Sequence, residues 1–126
     1  MGKKTSELTG IALDWAVAKC ESVEVSGDKH GLMFNALLTL GHISMGQSSH
    51  RAYNPSTNWA QGGPIIQREE INMGTIDALN GPYWEAHMPY GMSDDFAEGP
   101  TPLVAAMRCY VASVLGDEVE LPKELT

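Results

Sequence analysis

The sequence is poor in cations. Eight Lys and Arg stand against 16 Asp and Glu, a formal charge of −8. Binding to nucleic acid without sequence preference depends on cations that neutralise phosphates and release counterions. No nucleic-acid partner is therefore expected, and the same shortage argues against an anionic membrane surface. The acids (Asp14, Glu21, Glu24, Glu69, Glu70, Asp94, Asp95, Asp117, Glu118 and Glu120) are scattered rather than gathered into a tail that imitates DNA. They are read as solvated charges that keep the chain soluble.

Cysteine is also scarce. Cys20 and Cys109 each fall within an apolar helical pattern, which points to reduced core thiols in a cytosolic protein and not to a disulfide framework. Long apolar runs are missing, and the N-terminus passes from Lys3 and Lys4 straight into a mixed helix, so neither a membrane span nor a signal peptide is expected. The chain has no Gly-x-Ser-x-Gly elbow, no Gly-x-x-x-x-Gly-Lys phosphate loop and no Gly-x-Gly-x-x-Gly fingerprint. Its histidines (His30, His42, His50 and His87) and cysteines show no zinc-type spacing. No metal or cofactor is expected. His42 and His50, flanking a polar loop, are the one pair to inspect as ligands. Asp94-Asp95 and Glu69-Glu70 are read as hydrated acids, no catalytic residue is assigned, and an enzyme is the weaker reading.

What is present can fold. The 126 residues are 43% hydrophobic and 19% charged, the balance of one domain with one core that buries about two-thirds of its unfolded surface. Thr5 to Cys20 reads as a helix capped by Thr5 or Ser6, with Leu8, Ile11, Trp15 and Ala18 in a stripe widened by Ala12, Leu13 and Val17. Ser22 to Ser26 alternates like an edge strand ended by Gly27-Asp28. Residues 29–51 do not decide between strand and helix and form a possible variable or mobile region, with Gly41 to Ser49 a loop. Gly62-Gly63-Pro64 is expected to break a middle helix into two short pieces, the second running from Pro64 to about Glu70. Ile71 to Leu79 and Tyr83 to Met88 read as strands separated by a Gly81-Pro82 turn, and Tyr90 to Gly99 as an exposed loop. The clearest element is the last helix: Thr101 as cap, Pro102 at the first position, Leu103 to Leu115 as the body and Gly116 beyond its end. Residues 117–126 form a short tail. The predicted fold is α+β, a small, mostly antiparallel sheet packed with an N-terminal helix, a short broken middle helix and a buried C-terminal helix.

Tyr53, Asn54, Ser56, Thr57, Asn58, Trp59 and Gln61 crowd donors and two aromatics into a few residues, the composition of a recognition surface. Gly62 and Gly63 could expose amides to an anion, although a helix break explains them better. Arg108, a charge inside the apolar last helix, needs solvent or an acid, and Glu85 is the expected partner. Trp15, Trp59 and Trp84 are expected to be core or half-buried, with a Trp among polar turn residues also suited to anchoring an interface.

Lys4 to Gly10 running into Ala12 to Cys20, the Tyr53 to Ile66 segment and Gly99 to Val119 resemble the NinX-like proteins of lambda-like phages and related prophages, a family of unknown function encoded near phage recombination genes. The later layout is also similar to a phage domain called the ABA sandwich. The resemblance implies a phage gene expressed in a bacterial cytoplasm and carries no activity or catalytic residue. It also sets aside the myristoylation pattern that Met1-Gly2-Lys3-Lys4-Thr5-Ser6 satisfies, because that chemistry is eukaryotic. The first expectation is thus a non-enzymatic accessory protein that binds a host or phage protein, with homo-oligomerisation left open. The second is a small-ligand binder in which Trp59 or Trp84 stacks a base while Arg108 or the Gly62-Gly63 amides hold a phosphate.

Overall fold

The computed structural model describes residues 2–34, 52–78, 81–89 and 96–125. In chain order these form β1 (Lys3–Lys4), a 3-10 turn (Thr5–Glu7), α1 (Gly10–Glu21), β2 (Val25–Asp28), β3 (Gly31–Phe34), α2 (Trp59–Glu69), β4 (Asn72–Ala78), β5 (Gly81–His87), β6 (Phe96–Gly99), α3 (Pro102–Leu115), β7 (Glu118–Val119) and a closing 3-10 turn (Lys123–Leu125). The fold is α+β, with helices against small antiparallel sheets.

The last helix follows the sequence closely. The Thr101 side chain accepts from the Val104 amide at 3.1 Å, Pro102 opens α3, and Gly116 closes it at φ +90° with its amide on Ala112 O. That dihedral favours glycine. Leu103 through Val111 are all buried, whereas Val114 and Leu115, in the final turn, are exposed. The helix lies on the sheet β4-β5-β6, in which Ala86 of the central strand pairs with Met73 on one side and Ala97 on the other. Trp84, Ala86 and Met88 alternate onto the helix-facing side, the period-two pattern read from the sequence.

Several expectations need correction. Gly81 and Pro82 belong to β5, paired with Ala78 and Asp77, and are not the turn. Phe96 to Gly99, expected in a loop, form β6 and cover the backbone edge that β5 would otherwise leave unpaired. The first helix does not begin at Thr5: a 3-10 turn precedes it and α1 starts at Gly10. The Thr5 hydroxyl donates to Gly116 O at 2.6 Å, and its amide to Asp117 O at 2.8 Å, next to the β1–β7 pairing. Asp117 to Val119 are thus tied to the N-terminus, and Val119 is buried in the core.

On α1, Leu13, Ala16, Val17 and Ala18 are buried while Ile11 and Trp15 are only half-buried. The predicted stripe is turned because α1 serves two clusters. One faces α3; the other gathers Ala18, Leu32 and Tyr53 beneath the β2–β3 hairpin, with Phe34 edge-on to Tyr53 at 4.9 Å. The hairpin strand starts at Val25 and includes Gly27 and Asp28, with Lys29 and His30 as the turn. The Gly41 to Ser49 loop, His42, His50 and the Asp94-Asp95 pair lie outside the described residues.

The middle helix is not broken. α2 runs from Trp59 to Glu69 with Pro64 inside it. Proline at that position removes the bond to Ala60 O, but Pro64 and Ala60 are both exposed, so water can take the freed carbonyl. Gly62 serves packing: a Cβ there would lie 2.5 Å from Pro55 O and 2.6 Å from Leu103 Cδ2.

Candidate functional site

The segment from Tyr53 to Gly63 is fastened to α1 at one buried point. Pro55 and Ser56 are buried, and an interior amide needs an acceptor. Asp14 supplies it: its Oδ1 accepts from the Ser56 amide at 2.8 Å. Asp14 is only 4% exposed, which overturns its reading as a solvated charge. Burial lifts its carboxyl to about 6, with the hydrogen bond from the Ser56 amide pulling the other way. The Tyr53 and Ser56 hydroxyls are buried without a hydrogen-bond partner among the described residues. Burial, reinforced by the charges of Glu21 and Asp14, pushes the Tyr53 phenol well above its ordinary range.

The polar side chains that mark this stretch turn largely onto the stretch itself. Gln61 accepts from the Asn54 amide and donates to Ala52 O, each at 2.7 Å. Asn58 donates to Asn54 Oδ1 at 3.1 Å and caps α2 by accepting from the Ala60 amide at 3.0 Å. The Thr57 amide bonds Asn54 O. The segment is a self-stapled turn that starts a helix, and the group it leaves in water is Trp59, 53% exposed. A Cβ on Gly63 would touch the Trp59 ring at 3.9 Å, so the indole lies alongside the helix.

Two of the predicted residues stand apart. Trp84 is half-buried against the main core. Arg108 does not meet Glu85, whose carboxylate instead contacts His87 Nε2 at 3.1 Å. Arg108 is buried and donates from Nε to Leu8 O and from Nη1 to Glu98 O, both at 2.8 Å. It also lines a hollow that contains none of Trp59, Trp84, Gly62 or Gly63. Of the expected base-stacking and phosphate-holding groups, Gly63 lies beside the Trp59 ring, the Gly62 amide is taken by Asn58 O at 2.9 Å, and Arg108 opens on a different hollow.

A second cluster went unseen in the sequence. Where α1, α2 and α3 meet, Arg68 grips both oxygens of Glu21, at 3.0 and 2.5 Å, and reaches Glu69 at 2.8 Å and the Tyr110 hydroxyl at 3.2 Å. Tyr110 in turn donates to Glu21. Burial raises the Glu21 carboxyl, but the hydrogen bonds from Arg68 and Tyr110 and the Arg68 charge outweigh it and hold Glu21 below the usual carboxylate range. Burial next to Glu21 pushes the Cys20 thiol up to about 12, so it stays protonated and a poor nucleophile. Glu21 and Tyr110 lie 89 positions apart in sequence; the available signal was a tyrosine on an otherwise aliphatic helix face. Among the described residues, no three His, Cys, Asp or Glu side chains gather as a metal site, and no helix is long and apolar enough to cross a membrane.

A comparison of the sequence with curated proteins finds no match. The family model described as Bacteriophage P22, NinX matches residues 4–114. That span takes in α1, the stapled Tyr53 segment, the three-stranded sheet and nearly all of α3, and the chain belongs to the bacteriophage P22 NinX family.

Proposed function

We propose that this phage protein works in the bacterial cytoplasm as a non-enzymatic accessory factor, binding a host or phage protein through the surface around Trp59. The observation that carries the reading is the exposure of Trp59 on a segment whose neighbouring polar groups are committed to holding its backbone. A large aromatic left in water on a pre-ordered support contributes contact area with little ordering entropy, the property of an interface anchor.

Affinity capture from phage-infected cells, with the parent chain, Trp59→Ala and Tyr83→Ala side by side, tests it. Tyr83 is another exposed aromatic, on β5. The expected result is a captured protein that is lost with Trp59→Ala and kept with Tyr83→Ala, while both variants unfold at the parent's midpoint. Equal capture by Trp59→Ala would contradict the reading.

A further inference from the structure

We propose that Arg108 and the hollow it lines form a binding site for a small anion on an apolar body, an aryl or alkyl carboxylate or phosphate. The hollow, about 490 Å³, lies where β1, the Thr5–Glu7 turn, β6, α3 and β7 meet, a volume within the range of small-molecule sites. Its wall includes Arg108, Ser6, Phe96, Ala97 and Ala112.

The central observation is a buried charge with no carboxylate in hydrogen-bond contact among the described residues. Arg108 is 7% exposed, and its two bonded nitrogens meet carbonyls, which satisfy donors but carry no net charge. Nη2 has no protein partner among the described residues. A buried guanidinium is stable when paired with an anion and unfavourable without one. An anion on Nη2 brings a contacting negative charge to Arg108, in a hydrogen bond stronger than a neutral one. Phe96, stacked on His87 at 5.7 Å, stands with Ala97 and Ala112 as an apolar wall for the rest of the ligand. Lys4, Asp117 and Glu118 are exposed at the same hollow. The two acids repel a polyanion, which selects a compact ligand with one anionic head.

The test is titration of the full chain by proton–nitrogen NMR with phenyl phosphate, benzoate, inorganic phosphate and benzyl alcohol. Phenyl phosphate and benzoate are expected to bind saturably, with Kd below about 1 mM, shifting the amides of Ser6, Ala97 and Ala112. Inorganic phosphate should bind about tenfold more weakly for lack of the apolar body, and benzyl alcohol likewise for lack of the charge. Arg108 also holds the fold, so the variants are placed elsewhere: Ala112→Phe fills the hollow and Phe96→Ala removes its wall. Each should weaken phenyl phosphate by about tenfold. The proposal is overturned by no saturable shift with either aryl anion, by benzyl alcohol matching benzoate, or by a folded variant of either kind that binds as the parent does.

Discussion

Trp59 and Arg108 are mirror images in how they meet water. Trp59 is a large apolar side chain held out in solvent by a turn that Asn54, Asn58 and Gln61 tie together. Arg108 is a full charge drawn largely out of solvent and held, among the described residues, by backbone carbonyls. Each departs from the ordinary partition of side chains between surface and core, and they depart in opposite directions. An exposed aromatic on a rigid support is unsatisfied toward an apolar partner, whereas a buried cation beside a hollow is unsatisfied toward an anion. If both proposals hold, macromolecular and small-ligand recognition occupy separate parts of the molecule. Arg68 sharpens the contrast: it is half-exposed yet carries two carboxylates and a phenol.

The largest effect should come from removing the buried cation. Arg108→Met strands the Leu8 and Glu98 carbonyls and should cost about 4 kcal/mol of unfolding free energy, against about 1 kcal/mol for Arg68→Met at the surface. Urea denaturation measures both, and equal losses would break the comparison.

Asp14 is the acidic counterpart of a charge drawn inward. Its folded pKa, about 6, lies above its ordinary 3.8, so the folded state favours the protonated acid. The stability this contributes is full below pH 3.8 and is lost as pH rises through 6. Asp14→Asn keeps an acceptor for the Ser56 amide without the charge. It should match the parent at acid pH and exceed it at pH 7 by up to about 3 kcal/mol. Urea midpoints across that range are the check, and parallel profiles would remove the buried charge from the account.

Gly62→Ala comes next, at about 2 kcal/mol, because its methyl meets Pro55 O and Leu103 Cδ2; thermal unfolding reads it. Gly63→Ala, with only the Trp59 ring at 3.9 Å, should stay within about 0.5 kcal/mol.

These residues also mark how far the sequence could be read. Thr101, Pro102 and Gly116 define α3 because capping is local: donor, acceptor and dihedral lie within a few positions of one another. The alternation of Trp84, Ala86 and Met88 is local in the same way. The continuity of α2 was hidden because the cost of Pro64 depends on whether the freed Ala60 carbonyl reaches water, which only the packed fold decides. Asp14 reads as a solvated acid in the sequence because its partner, Ser56, lies 42 positions away. Arg108 was assigned a carboxylate because sequence shows charges, whereas its acceptors are backbone carbonyls, present at every residue and therefore invisible as a signal. In the Tyr53 to Gly63 segment the composition marks a dense polar-aromatic stretch. It did not separate the residues that build the turn, Asn54, Asn58 and Gln61, from the aromatic left facing solvent, Trp59.

That last distinction is the centre of the account, and its smallest predicted effect on stability goes with its largest on binding. Trp59→Ala should change unfolding free energy by no more than about 0.5 kcal/mol. A photo-crosslinking amino acid placed at position 59, and in a parallel chain at exposed Thr75 of β4, would be irradiated in phage-infected bacteria. The account predicts one discrete protein adduct from position 59 and none of that mass from position 75; the same adducts from both positions, or none from position 59, would contradict it.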